Sequence, residues 1–536
     1  MRKANCGSLQ AFAALGVFAA VALGACTLAS AQIAPAQAPA ELLIKMAQAR
    51  FSALTKAELK LLRAAPTPVL AWASENQDPD DPINNLAKAE SWGKDRTVRA
   101  ELLAWLLSDP DASKLVHPSG VGLAAARIIG KLDLSYLQVI HPLTLVNCLV
   151  SSGIDFSHAR VNSIDLRRSW TGPIDGYLSV VQGDLDLPFG RYDSIRLFRA
   201  EIGGHLDCTA SSLVGDPPIA AILAAINGDV VLHQGVEIAG VIDLRLAKIG
   251  QSLSINHARF VGRGENGLNA ERAMIGGTLY WVDIAKTART ELDLSDAHAA
   301  SLWDDEKSWP APGELYVDGF VYQDFAGGPT DDVARLRWLR LQPLALQAQP
   351  QPYRQLAHVL RDNGREEGAA KAEIARESAL TRYGGMSIAT RVWREALRLT
   401  IGYGYRPLRA LWWILGFVML GATLFGWGYR AGLITPTEEN AYQEFINSGA
   451  PPRHYPPFSS FVYSLENFLP VVDLHQGTYW RPNPHHHPSN HRSKVKWADN
   501  ILSARLLRCY LWIHILAGWT ITPLLFAGLA GLLHND

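Results

Sequence analysis

"GKLDLS" (Gly130–Ser135), "SSGIDFS" (Ser151–Ser157), "NSIDLR" (Asn162–Arg167), "GDLDLP" (Gly183–Pro188) and "GHLDCT" (Gly204–Thr209) are versions of one short phrase. Each holds an apolar–acidic–apolar triplet next to Gly, Ser or Asn. The first apolar residues of the triplets include Leu132, Leu143, Ile154, Ile164, Leu185, Ile195, Leu206, Ile242, Leu253, Leu279, Leu292 and Leu315. They recur at steps of 10, 11 or 13 or at larger intervals, several near two steps. A triplet of this kind reads as a short strand with two residues facing one way and an Asp the other. Strands this short cannot bury their own apolar side, so stacked coils must supply one another's core. The phrase therefore predicts a β-solenoid. A β-sandwich needs longer alternating strands, and few are visible. Small residues upstream of the triplets, Ala126, Ala159, Ala200, Ala247 and Ala273, suit a narrow interior.

Working outward, both flanks are helical in pattern. "AELLIKMAQARFSALTKAELKLLRAA" and "DRTVRAELLAWLLSDP" precede the repeats, separated by the Pro/Asp-rich "NQDPDDPINN". "PYRQLAHVLRDNGREEGAAKAEIARESALTRY" follows them as a helical hairpin with its turn at Asp362–Gly364. The chain of 536 residues, 48% hydrophobic and 19% charged, has room for several cores. Its net charge of -1 gives no reason to expect a nucleic-acid partner.

At the amino end, Arg2 and Lys3 precede an uncharged stretch to Gln32, with Ala29 and Ala31 at signal-peptidase spacing. This reads as an export signal. An uncleaved anchor, or acylation of Cys26 in "LGAC", are the alternatives. Cys148, Cys208 and Cys509 show no CxxC spacing, and the first two read as buried thiols.

Ala410 to Trp427 is an uncharged run of 18 residues; Tyr510 to Leu533 spans 24, with His514 its one Asp, Glu, Lys, Arg or His. Both are long enough to cross a bilayer, with aromatic residues toward the ends. The expected organisation is a signal peptide (1–31), a helical cap (32–119), solenoid repeats (120–330), a helical hairpin (331–400) and a first transmembrane helix (408–429). A loop (430–508) carrying a re-entrant or interfacial helix (458–474) and a second transmembrane helix (509–533) follow. Arg391, Arg394, Arg398, Arg406 and Arg409 before the first span argue for a cytoplasmic solenoid, whereas Arg492, Lys494, Lys496, Arg505 and Arg508 argue for a cytoplasmic loop. The export signal decides for a periplasmic solenoid anchored in the inner membrane.

Within the loop, "YSLENFLPVVDLHQG" (Tyr463–Gly477) is the most distinctive stretch. Phe461, Val462, Leu465, Phe468 and Leu469 fall on one helical face, and Pro470 ends the helix. Glu466 and Asp473, with His475 beside them, then lie at or near the membrane surface, where an ionisable group is partnered or functional. They are the candidate functional residues. His485, His486, His487 and His491 form a weak metal candidate, since Pro484 and Pro488 preclude a helix that would aim them together. "GRGENG" (Gly262–Gly267) fits a nucleotide-binding spacing only literally, because repeats rather than a crossover helix follow it. The repeat Asp residues read as solubilising, with no paired Glu for glycoside chemistry.

The ordered set "WGKDRTVRAELLAWLL", "GVGLAAARIIGKLDLS", "IGGHLDC", "PYRQLAHVLRDNGREEGAAKA", "GYGYRPLRALWW" and "YSLENFLPVVDLHQ" resembles a bacterial family of pentapeptide-repeat-like membrane proteins. Its members often carry the name membrane-associated oxidoreductase. The resemblance implies a mixed fold, a right-handed pentapeptide-repeat-like β-solenoid with helical caps and a carboxyl-terminal pair of transmembrane helices. It brings no assigned catalytic residues, and the sequence holds no cofactor motif. A more distant similarity to two-helix cation channels covers Ala410 to Leu533 and lacks their glycine-rich filter. The expected role is a non-enzymatic scaffold that binds the bilayer and a protein or envelope polymer, with no cofactor. An oligomeric pore built from copies of the chain, or a membrane oxidoreductase, are the alternatives.

Overall fold

The structure is a computed structural model and describes residues 37–286, 289–483 and 504–530. The amino-terminal signal reading and the four clustered histidines fall outside the described residues.

The triplets do build a parallel β-solenoid. A representative coil runs through Leu132–Asp133, Gln138–Val139, Leu143–Val146 and Leu149–Val150, and the next begins at Ile154–Asp155. Each strand pairs in parallel with its counterpart one coil away, as Ile164 does with Leu143 on one side and Leu185 on the other. Two sheets of nine strands count about nine coils, and a 17-stranded sheet covers the other two sides. Long strands at Met274–Trp281, His298–Asp304 and Val321–Gly327 carry that larger sheet around a corner in the last coils.

Register explains the core. Leu143, Ile164, Leu185, Leu206, Val230 and Leu253 stack into one buried column, and Ile154, Ile174, Ile195, Ile219 and Ile242 into another. Each such side chain contributes about 1.5–3 kcal/mol when it leaves water. The small Ala126, Ala159, Ala200, Ala247 and Ala273 are buried beside them.

The acidic residue of the triplet has a more specific use than solubility. Asp133, Asp155, Asp165, Asp207 and Asp293 each accept a hydrogen bond from the amide two residues on, at 2.8–3.0 Å. This Asx turn bends the chain at the end of the strand. One residue later the chain enters the left-handed region without glycine, as at Tyr136, His158, Arg168 and Ala210 (φ 52–60°). Such a conformation costs on the order of 1 kcal/mol at each site, and the stacked core offsets it.

Both ends of the solenoid are closed by helices. On the amino side, α1 (Gln37–Arg50) and α2 (Lys56–Ala64) precede α3 (Ala100–Ser108), which buries Leu102, Leu103, Leu106 and Leu107. Fully buried Glu58 receives Arg99 Nε and Nη2, both at 2.7 Å, and the amides of Arg99 and Thr55. Burial works against its charge, but Arg99 and the amides outweigh it and hold the carboxyl below its ordinary pKa.

On the carboxyl side stand α4 (Asp332–Leu339), α5 (Gln351–Asp362) and α6 (Glu366–Tyr383), followed by α7 (Ile388–Ile401). Arg335 of α4, fully buried, grips Asp304 of the penultimate coil through two bonds of 2.6 and 2.8 Å and stacks over Phe325. Gln351 and Gln355 of α5 give hydrogen bonds to the carbonyls of Phe320 and Tyr322, satisfying the last coil.

The remaining helices are α8 (Arg409–Arg430), α9 (Glu439–Ser448), α10 (Ser460–Phe468), α11 (Gln476–Tyr479) and α12 (Ala504–Leu529). Helices α8 and α12 are long and apolar enough to cross a membrane. Only 22% of the most apolar stretch of α8 and 33% of that of α12 is buried, which separates them from the core helices of a soluble protein. Trp412, Leu415 and Leu420 on α8, and Trp512, Leu516, Trp519 and Phe526 on α12, face outward.

Candidate functional site

Helix α10 is wedged between α8 and α12. It runs antiparallel to α8, with Ser460 beside Gly426, Ser464 beside Gly421 and Phe468 beside Phe417. The fit depends on two glycines. A Cβ on Gly421 would overlap Ser464 Oγ, and one on Gly518, near the middle of α12, would overlap the Phe468 carbonyl. Close approach at small residues is the usual way helices pack where water supplies no driving force.

The helix buries part of the face its apolar spacing indicates. Tyr463, Ser464 and Phe468 are buried, whereas Phe461 is half exposed. Phe468 of that face turns inward together with Tyr463 and Ser464, and Phe461 turns outward.

At the centre of this packing is a polar cluster. Ser464 Oγ donates to the Val418 carbonyl at 2.8 Å. His514 Nε2 lies 3.0 Å from the Ser464 carbonyl and 3.3 Å from Ser464 Oγ, while Nδ1 lies 3.3 Å from Tyr510 Oη. A proton on Nε2, donated to the carbonyl, with Nδ1 accepting from Tyr510, satisfies the ring. Phe468, Phe425 and Phe417 surround the imidazole with centroids 5.1–6.5 Å away. Ser464 and His514 are fully buried. The serine hydroxyl is committed to a carbonyl, so the cluster clamps α10 in place rather than presenting a nucleophile.

The three candidate residues read from the sequence divide. Glu466 turns back into the hairpin, where its carboxylate accepts the amides of Gln476 (2.7 Å) and Gly477 (3.0 Å) at the start of α11. The Gln476 side chain in turn bonds Ser459 and Pro457, closing the segment into a loop. Asp473 and His475 are exposed and bond each other: Asp473 Oδ1 accepts the His475 amide and lies 2.9 Å from its Nδ1. That amide, with the imidazole, holds the Asp473 carboxyl below its usual pKa. The segment also packs on elements the sequence does not announce. Strands Ile434–Pro436 and Trp480–Pro482 pair antiparallel, and with α9 they enclose a cluster around Trp480, Phe445 and Tyr455.

Other candidates resolve as structural. "GRGENG" is a closed turn in which Asn266 bonds the carbonyls of Gly262 and Gly264, and a strand follows it. Cys148 and Cys208 are free and buried, and burial pushes the Cys148 thiol up to about 12. Among the described residues no group of three or more His, Cys, Asp or Glu could hold a metal ion. One acidic cluster is electrostatically strained. Asp165, Asp186 and Asp207 stand in register on adjacent coils, and burial together with Asp184 and these neighbours pushes Asp186 up to about 6.

Comparison with models of known protein families, with curated proteins and with solved structures finds no match to this chain. The β-solenoid is compatible with pentapeptide-repeat-like proteins, and the functional reading rests on the chain's own geometry.

Proposed function

We propose that the protein is a membrane-anchored scaffold of the bacterial cell envelope, in which the solenoid offers an extended, rigid surface to a protein or envelope-polymer partner. The observation that carries this reading is the joining of two opposites. A nine-coil solenoid, closed and ion-paired at both ends, continues into helices that expose Trp412, Leu516, Trp519 and Phe526. Multipoint contact along repeated coils is how such surfaces bind. In this reading α8 and α12 cross the inner membrane, and the export signal places the solenoid in the periplasm. Affinity purification from membranes, with partner identification and analysis for metal, flavin and haem, is the test. A stoichiometric protein or polymer partner is expected; a stoichiometric chromophore would instead support an oxidoreductase. A reporter fused after Tyr353 tests the side, and cytoplasm-only activity there overturns the periplasmic placement.

One observation favours a second reading, an oligomeric pore. A plain anchor needs no helix that enters between two spans, stops near the middle of one and returns, as α10 and α11 do. Copies of the chain around an axis would bring the exposed Asp473 and His475 together. Reconstituted protein that conducts ions, with conduction altered by Glu466→Gln or Asp473→Asn, would establish it; absence of conductance removes it.

A further inference from the structure

Helix α7 carries apolar residues on two sides. On one side Leu397 and Ile401 pack against α8 and α12, in the cluster that includes Ala410, Ile521 and Leu525. Arg394, on another side, is tied to α6 through Thr381 Oγ1 at 2.8 Å and the Glu377 carboxylate. The second apolar side has no cover among the described residues: Ile388, Val392, Trp393 and Leu399 are 81%, 66%, 51% and 54% exposed. At a helical rotation of about 100° per residue, Ile388, Val392 and Leu399 fall within about 40° of one another. They form one strip along the 14-residue helix.

On one flank the strip meets Glu395 and, beyond it, arginines. Arg391 and Arg398 lie on the flank away from Trp393. Arg391 and Arg409 make no ion pair among the described residues, and Arg398 pairs only with Glu395 of its own helix.

The position of α7 is fixed relative to the apolar helices. The chain reverses at Gly402–Gly404, with Tyr403 and Gly404 at φ 56° and 98°. Trp413 Nε1, in the second turn of α8, donates to the Leu399 carbonyl at 3.1 Å. The last turn of α7 thus sits level with the start of α8, and its strip is continuous with the exposed Leu408, Leu411 and Trp412. An apolar strip with arginines on one flank, at the end of an apolar span, has the chemistry of an interfacial helix.

We propose that α7 lies flat in the interfacial layer of the bilayer, with Ile388, Val392 and Leu399 among the acyl chains and Arg391, Arg398 and Arg409 bound to anionic phospholipid headgroups. This rests on the membrane reading of α8 and α12. It adds that the solenoid is held by a third element, which would fix its tilt over the membrane instead of leaving it on a hinge.

The test uses the full-length protein carrying Cys6→Ser, Cys26→Ser and Cys509→Ser, since Cys148 and Cys208 are buried. Single spin labels are placed at exposed positions by Val392→Cys, Leu399→Cys or Leu420→Cys, in vesicles of phosphatidylcholine and phosphatidylglycerol. Oxygen, which partitions into lipid, should reach all three labels better than a water-soluble nickel chelate does, with Leu420→Cys deepest. A lipid-buried label at 420 with water-exposed labels at 392 and 399 overturns the α7 inference alone; a water-exposed label at 420 overturns the membrane reading and the inference with it. Labels at 392 and 399 shielded from both reagents would mean a protein or a second copy on the strip, and also overturn it. Replacing Arg391, Arg398 and Arg409 together by Gln should lower the retention of phosphatidylglycerol over phosphatidylcholine about tenfold in native mass spectrometry. Unchanged retention refutes the headgroup contacts.

Discussion

The solenoid and the α8–α10–α12 unit are built inside out with respect to one another. In the solenoid, Leu and Ile columns are buried and the charged residues of the repeats lie outside them, apart from buried Asp304. In the carboxyl-terminal unit Ser464, His514 and two glycines sit at the helix contacts among buried Phe425 and Phe468, and Trp, Leu and Phe cover the surface. On the membrane reading of α8 and α12, the same polymer physics, applied in water and in lipid, produces both. In water the apolar area removed drives packing. In a bilayer that force is absent, and close backbone approach and interhelical hydrogen bonds remain. The difference separates the residues that hold each part together, and substitution can attack each separately.

The largest effect is expected at the solenoid's carboxyl end. Arg335→Ala leaves Asp304 as an uncompensated buried charge, and about 3–5 kcal/mol of stability should be lost in denaturant unfolding of the solenoid. The α10 wedge should remain in place, read by unchanged protease resistance of that segment. The converse experiment is Gly421→Val. Its side chain collides with Ser464 and His514, so α10 must shift, at a cost of about 1–3 kcal/mol. Melting of the membrane unit in detergent should fall while the solenoid transition stays put. If either substitution moves both transitions equally, the two parts are one cooperative unit and the contrast fails.

Legibility in the sequence followed the same division. The solenoid could be read because each coil repeats its solution: Ile154, Ile174 and Ile195 pair in register, and the triplet spacing displays it. The physical use of the Asp was missed, because an Asx turn and a solubilising surface demand the same residue. The inserted helix could be located from Pro470 and the helical spacing before it, but its inward face could not. The apolar spacing groups Phe461 with Phe468, but the structure buries Phe468 together with Tyr463 and Ser464 and leaves Phe461 outside. His514 was noticed only as an interruption in an apolar run. The signal for it was present: Tyr510, His514, Gly518 and Thr522 recur every four residues and mark one polar, small face on an otherwise oily helix. Strands Ile434–Pro436 and Trp480–Pro482 are three residues each with 43 residues between them, too short and distant for any local pattern to announce.

Electrostatics offers a smaller test of the solenoid side. The Asp186 carboxyl titrates near pH 6 in the folded chain, raised by burial and by Asp184, Asp165 and Asp207, against an ordinary value near 3.9 when unfolded. Between these values the folded state binds more protons, so stability falls as pH rises from about 4 through 6 and the penalty is complete above. With Asp186 partly exposed, solvent screening leaves a penalty of about 1 kcal/mol. Asp186→Asn should therefore stabilise the solenoid at pH 7 and have little effect at pH 4, in unfolding curves run at both. Equal gains at both pH values would assign the effect to packing instead.

The smallest expected effect is the most informative about the other side. His514→Phe keeps a ring among Phe417, Phe425 and Phe468 but deletes the bond to the Ser464 carbonyl and the partner of Tyr510. In water a buried carbonyl stripped of its donor would cost about 1–3 kcal/mol. Within a bilayer the unfolded reference also finds partners, and such bonds average about 0.6 kcal/mol. Here Ser464 Oγ still holds the Val418 carbonyl, so α10 keeps one of its two polar ties to the neighbouring helices. The expected loss is about 0.6 kcal/mol, measured as a shift in detergent or bicelle unfolding, with the solenoid transition unmoved. A loss of several kcal/mol would mean that the imidazole sits in a water-referenced core, and the inside-out contrast between the two regions would have to be abandoned.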